Sequence, residues 1–356
     1  MKIGIYTQPL SHNYGGILQN YALQYVLKKM GYNPITIYLG KYNYVRLVKD
    51  FIWNMISIVL RKSLYRKITL PMKQNKYEAV FYPFIQSYIA VTKRIIKCSS
   101  RFIKSLEFDA IIVGSDQVWR PCFNDIYDSY LLFAKDIDIP KIAYAASFGV
   151  DRWEYTQEQT NKCCELIKQF KAVSVREASG VNLCKKYLST DALEVLDPTL
   201  LLNQSEYEIL CRNIRYEAED YLLVYILDED EDKEFYVTEF AKQHNLIVKQ
   251  IHAENKVSLS IEEWLSLFRD AAYVVTDSFH GTVFSILFQK EFISLLNKGR
   301  GASRFESLLN KLQLSDRLIV DNQSVPSNQI DWDNVSDLLE KYRKESMLFL
   351  ENAIKS

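Results

Sequence analysis

The stretch AYVVTDSFHGTVFSILF, Ala272 to Phe288, narrows the fold of this chain more than any other. Tyr273, Val274 and Val275 read as a buried strand. Thr276, Asp277 and Ser278 break it, and Val283, Phe284, Ile286, Leu287 and Phe288 continue as an apolar helix. His280 and Gly281 stand at the junction. A strand that passes straight into a helix places the connecting loop at the carboxyl edge of a parallel sheet, where open α/β folds hold their ligands. That loop is also a helix N-terminus, whose unpaired N–H groups and positive dipole end favour anions. His280 is therefore either a cap or packing residue or a group for phosphate or carboxylate chemistry.

The same rhythm recurs along the chain. Lys2–Thr7 is a strand, Ile17–Met30 a helix stopped by Gly31, and Ile35–Tyr38 the second strand of a βαβ unit. Between the first strand and its helix lies His12-Asn13-Tyr14-Gly15-Gly16, a candidate ligand loop or a plain tight turn. It is not a G-x-G-x-x-G dinucleotide fingerprint. Phe108–Val113, Ile142–Ala145 and Ala172–Val175 are further strands. They run into Gly114-Ser115-Asp116-Gln117-Val118-Trp119, Ala146-Ser147-Phe148-Gly149 and Arg176-Glu177-Ala178-Ser179-Gly180. Arg176 at such an edge is a natural anion clamp, being a permanently charged, bidentate donor, or else the ion-pair partner of Glu177. Asp197-Pro198 marks a domain boundary. Beyond it Tyr221–Leu227, Leu246–Ile251 and Phe292–Leu295 are strands, and Phe235–His244 and Ile261–Ala271 are helices. The acidic run Asp228–Asp232 reads as a solvated turn without calcium-loop spacing. Arg300 and Arg304 lie in the loop after Phe292–Leu295, and Val335–Ile354 is one long helix.

At 356 residues two domains are the natural expectation, and 44 Lys+Arg against 44 Asp+Glu give no net charge, which speaks against a nucleic-acid partner. Six cysteines without regular spacing read as free thiols in a reducing compartment, and nothing in the pattern asks for a metal. The start has no apolar leader, and no apolar run reaches the roughly 20 residues a bilayer demands, so a cytoplasmic protein is expected. Residues 44–76 carry an apolar run, Phe51–Leu60, flanked by eight Lys and Arg and one Asp. This helical excursion either packs on the core or touches an anionic membrane surface from the cytoplasmic side.

N-Y-G-G-I-L-Q-N-Y-A-L, G-S-D-Q-V-W, A-A-S-F-G, S-V-R-E-A-S-G, D-P-T-L-L-L, T-D-S-F-H-G-T-V-F-S-I and R-F-E-S-L-L follow one another from Asn13 to Leu309. In this order and spacing they resemble the polysaccharide pyruvyl transferase family. The resemblance implies an α/β fold of two Rossmann-like domains facing a GT-B-like cleft, with mostly parallel sheets. It also implies transfer of pyruvate from phosphoenolpyruvate to a sugar as a cyclic ketal, without a further cofactor. The expected division is residues 1–197 on the acceptor side, 198–330 on the donor side, and the helix 331–356. His280 is the expected acid/base or phosphate ligand. Asp116 would orient or deprotonate the acceptor. Arg176, Ser278, Phe279, Gly281, Arg300 and Arg304 would meet the donor. Asn13, Tyr14, Gly15, Gly16, Gln19, Ser115, Trp119, Ser147 and Phe148 would meet the acceptor, a sugar that a lipid could carry. Family members often have Asp-Arg-Leu-His-Gly where this chain has Asp277-Ser278-Phe279-His280-Gly281, so Arg176, Arg300 or Arg304 would supply the missing charge. A GT-B glycosyltransferase using a nucleotide sugar and a non-catalytic glycan-binding relative are the alternatives.

Overall fold

A computed structural model describes residues 1–11, 13–40, 78–123, 125–215, 220–228, 230–252, 259–296, 301–320 and 328–355. The basic segment 44–76, His12 and Arg300 lie outside the described residues, and so do the expectations placed on them. Six strands form the first sheet: β1 (Lys2–Tyr6), β2 (Asn33–Thr36), β3 (Ala110–Val113), β4 (Lys141–Ala146), β5 (Phe170–Val175) and β6 (Leu193–Glu194), in the order β2-β1-β3-β4-β5-β6. Five form the second: β7 (Tyr221–Ile226), β8 (Ile247–His252), β9 (Tyr273–Thr276), β10 (Glu291–Leu295) and β11 (Leu318–Ile319), in the order β11-β10-β9-β7-β8. Every described pairing is parallel. Central strands such as AIIV of β3 and YLLVYI of β7 are buried at every residue, which is why they read as unbroken apolar runs instead of alternating ones.

Three local differences from the sequence reading have physical causes. The first helix runs Tyr14–Lys29, three residues earlier than expected, because the Asn13 side chain accepts from the Gly16 N–H at 3.3 Å and caps it. Tyr14, Gly15 and Gly16 are thus its first turn and not a loop. The end of the acidic run is likewise a helix start: Asp230 accepts from the Lys233 N–H at 2.9 Å, and Glu231 and Asp232 sit at the positive end of Glu231–His244. The third difference is β6 and β11, two residues each, which are too short for any periodicity to announce.

One apolar cluster joins the two sheets. It contains Ile3, Ile17, Leu23 and Tyr144 from the first half and Val274, Phe284, Phe292 and Leu350 from the second. The Tyr14 ring stacks on Trp264 at 5.3 Å and its hydroxyl donates to the Leu259 carbonyl at 2.9 Å. The closing helix, Trp332–Lys355, comes back to the first half. There Ser346 Oγ accepts from the Leu196 N–H at 2.9 Å, and Arg343 Nε donates to the Leu200 carbonyl at 2.9 Å.

Candidate active site

Parallel strands end together, so the residues that follow them meet. Asp116 follows β3, Ser147 follows β4, Arg176 and Glu177 follow β5, and Asp197 lies three residues past β6. From the other sheet come His280, in the first turn of Phe279–Leu287 after β9, and Arg304, in the first turn of Ser303–Lys311 after β10. All of these side chains are buried. Arg176 is the hub. Its Nη1 donates to Asp197 Oδ2 at 2.6 Å and its Nη2 to Asp116 Oδ1 at 2.8 Å. Asp197 is held in turn by the Thr199 N–H at 3.0 Å, Thr199 Oγ1 at 2.7 Å and Ser115 Oγ at 3.2 Å. Thus two carboxylates flank one guanidinium in a buried site, where each interaction is stronger than it would be at the surface.

His280 Nε2 lies 3.8 Å from Asp197 Oδ2 and makes no hydrogen bond. The other edge of the ring lies against Gly15, where a Cβ would collide with Nδ1. Only glycine lets the first turn of the Tyr14–Lys29 helix approach the imidazole so closely. Burial pushes the His280 pKa below the ordinary 6.5; Asp197 and Asp116 oppose the shift, while Arg176 and Arg304 reinforce it. The ring is therefore neutral at pH 7. Burial would raise Asp116, but Arg176, His280 and Arg304 outweigh it and hold the carboxyl below its usual range. Asp197 is held down against burial by His280, Arg176 and the Thr199 bonds. Glu177 moves the other way: burial raises it in spite of Arg176 and Arg304. Its Oε1 accepts from the Phe148 N–H at 2.9 Å, and its Oε2 is buried without a hydrogen bond.

The structure brings Asp116, Arg176, Phe279, His280 and Arg304 together, with Gly15 behind the imidazole. The Phe279 ring lies beneath two guanidiniums, Arg176 at 4.8 Å and Arg304 at 5.6 Å. Ser278 caps its own helix through the Gly281 N–H at 3.3 Å, and Gly281 packs against the Thr276 side chain. The acceptor candidates divide. Asn13 is exposed beside the site, while Tyr14, Gln19, Ser115, Ser147 and Phe148 are buried in its walls. Gln19 braces two strand ends, donating to Thr7 Oγ1 at 3.0 Å and accepting from the Ser115 N–H at 3.0 Å. Trp119, expected to meet the acceptor, lies in the core. It is fully buried, stacks on Tyr130 at 4.9 Å and donates its indole N–H to the Ser129 carbonyl at 3.2 Å, so neither ring nor donor faces a ligand.

Asp197 and Glu177 were not among the expected site residues. The signals were present: Asp197 opens the D-P-T-L-L-L motif, and Glu177 follows Arg176 in S-V-R-E-A-S-G. Among the described residues no group of three or more His, Cys, Asp or Glu is placed to hold a metal, and no helix is long and apolar enough to cross a membrane.

Two parallel sheets that meet at their carboxyl ends, with a closing helix that returns to the first, define a GT-B-like α/β protein. Of the solved structures, UDP-GlcNAc 2-epimerase from Methanocaldococcus jannaschii shares 12% identity over 96% of this chain and 92% of its own, with a TM-score of 0.51. S. aureus MnaA, in a co-structure with UDP, shares 11% identity over 98% and 91%, also with a TM-score of 0.51. These likenesses are of fold. No curated protein matches the chain significantly in sequence. The polysaccharide pyruvyl transferase model matches residues 13–299, and the chain belongs to that family.

Proposed function

We propose that this protein transfers pyruvate from phosphoenolpyruvate to two hydroxyls of one sugar as a cyclic ketal, in the synthesis of a bacterial surface polysaccharide. The observation that carries this reading is the buried His280 imidazole, held beside the Asp197 carboxylate and the Arg176–Asp116 pair in the cleft of a pyruvyl transferase family member.

The reaction has to add one proton to the methylene carbon, remove two from hydroxyls and break the bond between C2 and the phosphate oxygen. A neutral imidazole suits the first exchange. His280 takes the proton of the attacking hydroxyl and, as an imidazolium steadied by Asp197, gives it to the methylene carbon. The first C–O bond forms in that step. Phosphate then leaves C2, the second hydroxyl closes the ring, and its proton departs with the phosphate. The ionised Asp116 orients the acceptor hydroxyls, and Arg176 keeps both carboxylates ionised at neutral pH. A lipid-carried acceptor would be met by a cytoplasmic enzyme at the inner face of the membrane.

Calorimetric titration with phosphoenolpyruvate beside a panel of nucleotide sugars tests the donor. Binding of phosphoenolpyruvate alone is expected. Binding of a nucleotide sugar in its place would move the assignment to glycosyl transfer, and binding of neither would favour a non-catalytic role.

A further inference from the structure

One stretch departs from the even mixture of charge in the rest of the chain. Lys+Arg and Asp+Glu balance at 44 each, yet from Ala79 to Leu106 there is no Asp or Glu, and the five charges present, Lys93, Arg94, Lys97, Arg101 and Lys104, are all positive. The structure gathers this stretch at one edge of the first sheet. Val91 pairs with Thr36, the last residue of β2, and Ile95 with Leu39, so the segment runs on beside β2 past its carboxyl end. The Gly40 N–H donates to the Ile95 carbonyl there at 2.7 Å. The helix Glu78–Tyr88 precedes the segment and the helix Ser100–Lys104 follows it. Lys93 ties it to the second of these, with Nζ 5.5 Å from the centre of the Phe102 ring.

The outer face of Glu78–Tyr88 is not that of an ordinary solvated helix. Phe81, Phe84 and Ile85 go into the core. The opposite stripe, Ala79, Tyr82, Pro83 and Gln86 at i, i+3, i+4 and i+7, is exposed and carries no charge, where a surface helix normally sets its charged residues. Tyr82 is 52% exposed and Tyr88 38%. Tyrosine, apolar in its ring and polar at its tip, suits a boundary between lipid and water. Beyond the helix Lys93, Lys97, Arg101 and Lys104 are all exposed, with Arg101 and Lys104 one turn apart. Long stems of this kind lie along an apolar layer and keep the charged head in the polar one.

We propose that this edge of the first sheet, the outer face of Glu78–Tyr88 together with Lys93, Lys97, Arg101 and Lys104, docks the protein on an anionic lipid bilayer. The tyrosines enter the headgroup layer, and the cations meet lipid phosphates through an attraction that salt screens. The docking surface stands without the pyruvyl-transfer reading. That it sets a lipid-carried acceptor near the cleft, which lies at the carboxyl ends of the same sheet, rests on that reading.

The test is sedimentation of the full chain with vesicles of phosphatidylcholine alone and of phosphatidylcholine mixed with phosphatidylglycerol, beside calorimetric titration of the same proteins with phosphoenolpyruvate. Wild type should sediment with the anionic vesicles and far less with the neutral ones. Lys93→Gln, Lys97→Gln, Arg101→Gln and Lys104→Gln in one protein should weaken that partition by about a hundredfold or more, each cation near the surface being worth about fivefold. The same loss of charge at the exposed Lys135, Lys162, Lys344 and Lys355 should leave it within about twofold of wild type. Tyr82→Ser should weaken it severalfold. Wild type that stays in the supernatant beside anionic vesicles, as a surface for a protein partner would leave it, overturns the proposal. So does an equal loss from the two fourfold variants, or binding that survives without the four cations of the edge. Unchanged binding of Tyr82→Ser removes the helix from the surface. Vesicle binding that depends on the edge, in a protein that ignores phosphoenolpyruvate, supports the surface and removes the donor assignment. Phosphoenolpyruvate binding by a protein that ignores the vesicles does the reverse.

Discussion

Arg176→Met is expected to lower the free energy of unfolding by about 3–5 kcal/mol, the cost of removing one partner from a buried ion pair. The variant leaves Asp116 and Asp197 ionised in a buried site, at the places where they were 2.8 and 2.6 Å from a guanidinium. Methionine fills much of the arginine's volume, so the loss reports charge and not a cavity. The pH dependence gives a signature. In the wild type both carboxyls are held below their ordinary value of 3.8, so the stability they contribute is present above that pH and is lost as pH falls through it. In the variant the same carboxyls are expected to be raised by burial, so their penalty is full above the raised value, shrinks as pH falls from it, and is gone below 3.8. The gap between the two proteins in urea midpoint should therefore narrow as pH is lowered. Adding Asp116→Asn and Asp197→Asn to Arg176→Met should recover most of the loss, and a gap that neither acid nor these substitutions reduce would mean that shape, not charge, holds the cluster.

His280→Gln is expected to leave the fold intact and to cost about 10²–10⁴ in turnover, the usual worth of a positioned acid/base group. Pyruvyl transfer to the acceptor, followed as phosphate release, is the readout. Glutamine keeps much of the size and polarity of the ring's edge near Gly15 but does not titrate, so it can neither accept nor return the transferred proton. Stability separates this from a packing defect. Because burial holds the folded imidazole below 6.5, the unfolded chain takes up a proton that the folded chain refuses as pH falls through that value, and folding weakens below it. The wild type should lose stability between pH 7 and pH 5 through this group, and His280→Gln should lose less. A variant that is inactive but shows the wild-type slope would place the titrating group elsewhere.

Much of this arrangement was readable in the chain. The buried strands are short runs of Ile, Val, Leu and Ala ending in small polar residues, and a parallel sheet forces such ends onto one edge. Asp116 and Arg176 could therefore be placed on one edge from the sequence, and His280 joined them through the family resemblance, which implies two domains facing a cleft. What stayed hidden depends on non-local packing. Asp197 reaches Arg176 because β6 pairs with β5 through two residues only, Ser174 with Leu193 and Val175 with Glu194. In the sequence, its Asp-Pro pair reads only as a domain boundary. Trp119 could be placed with the acceptor candidates because nothing near it in sequence reveals the stack with Tyr130 or the Phe148 ring at 5.3 Å. The Gly15-Gly16 pair suggests a loop, and only the Asn13 cap converts it into helix.

The apolar cluster shared by the two sheets bears on how the molecule comes apart. When Ile3 and Leu23 pack in the same cluster as Val274 and Leu350, and the last helix is bonded to Leu196 and Leu200 of the first half, neither sheet can melt without exposing the other's core. Heating should then give one calorimetric transition instead of two, and a chain cut between the sheets should yield fragments that fold only when mixed. The buried cluster around Arg176, drawn from both sides of that seam, would appear and disappear with the whole.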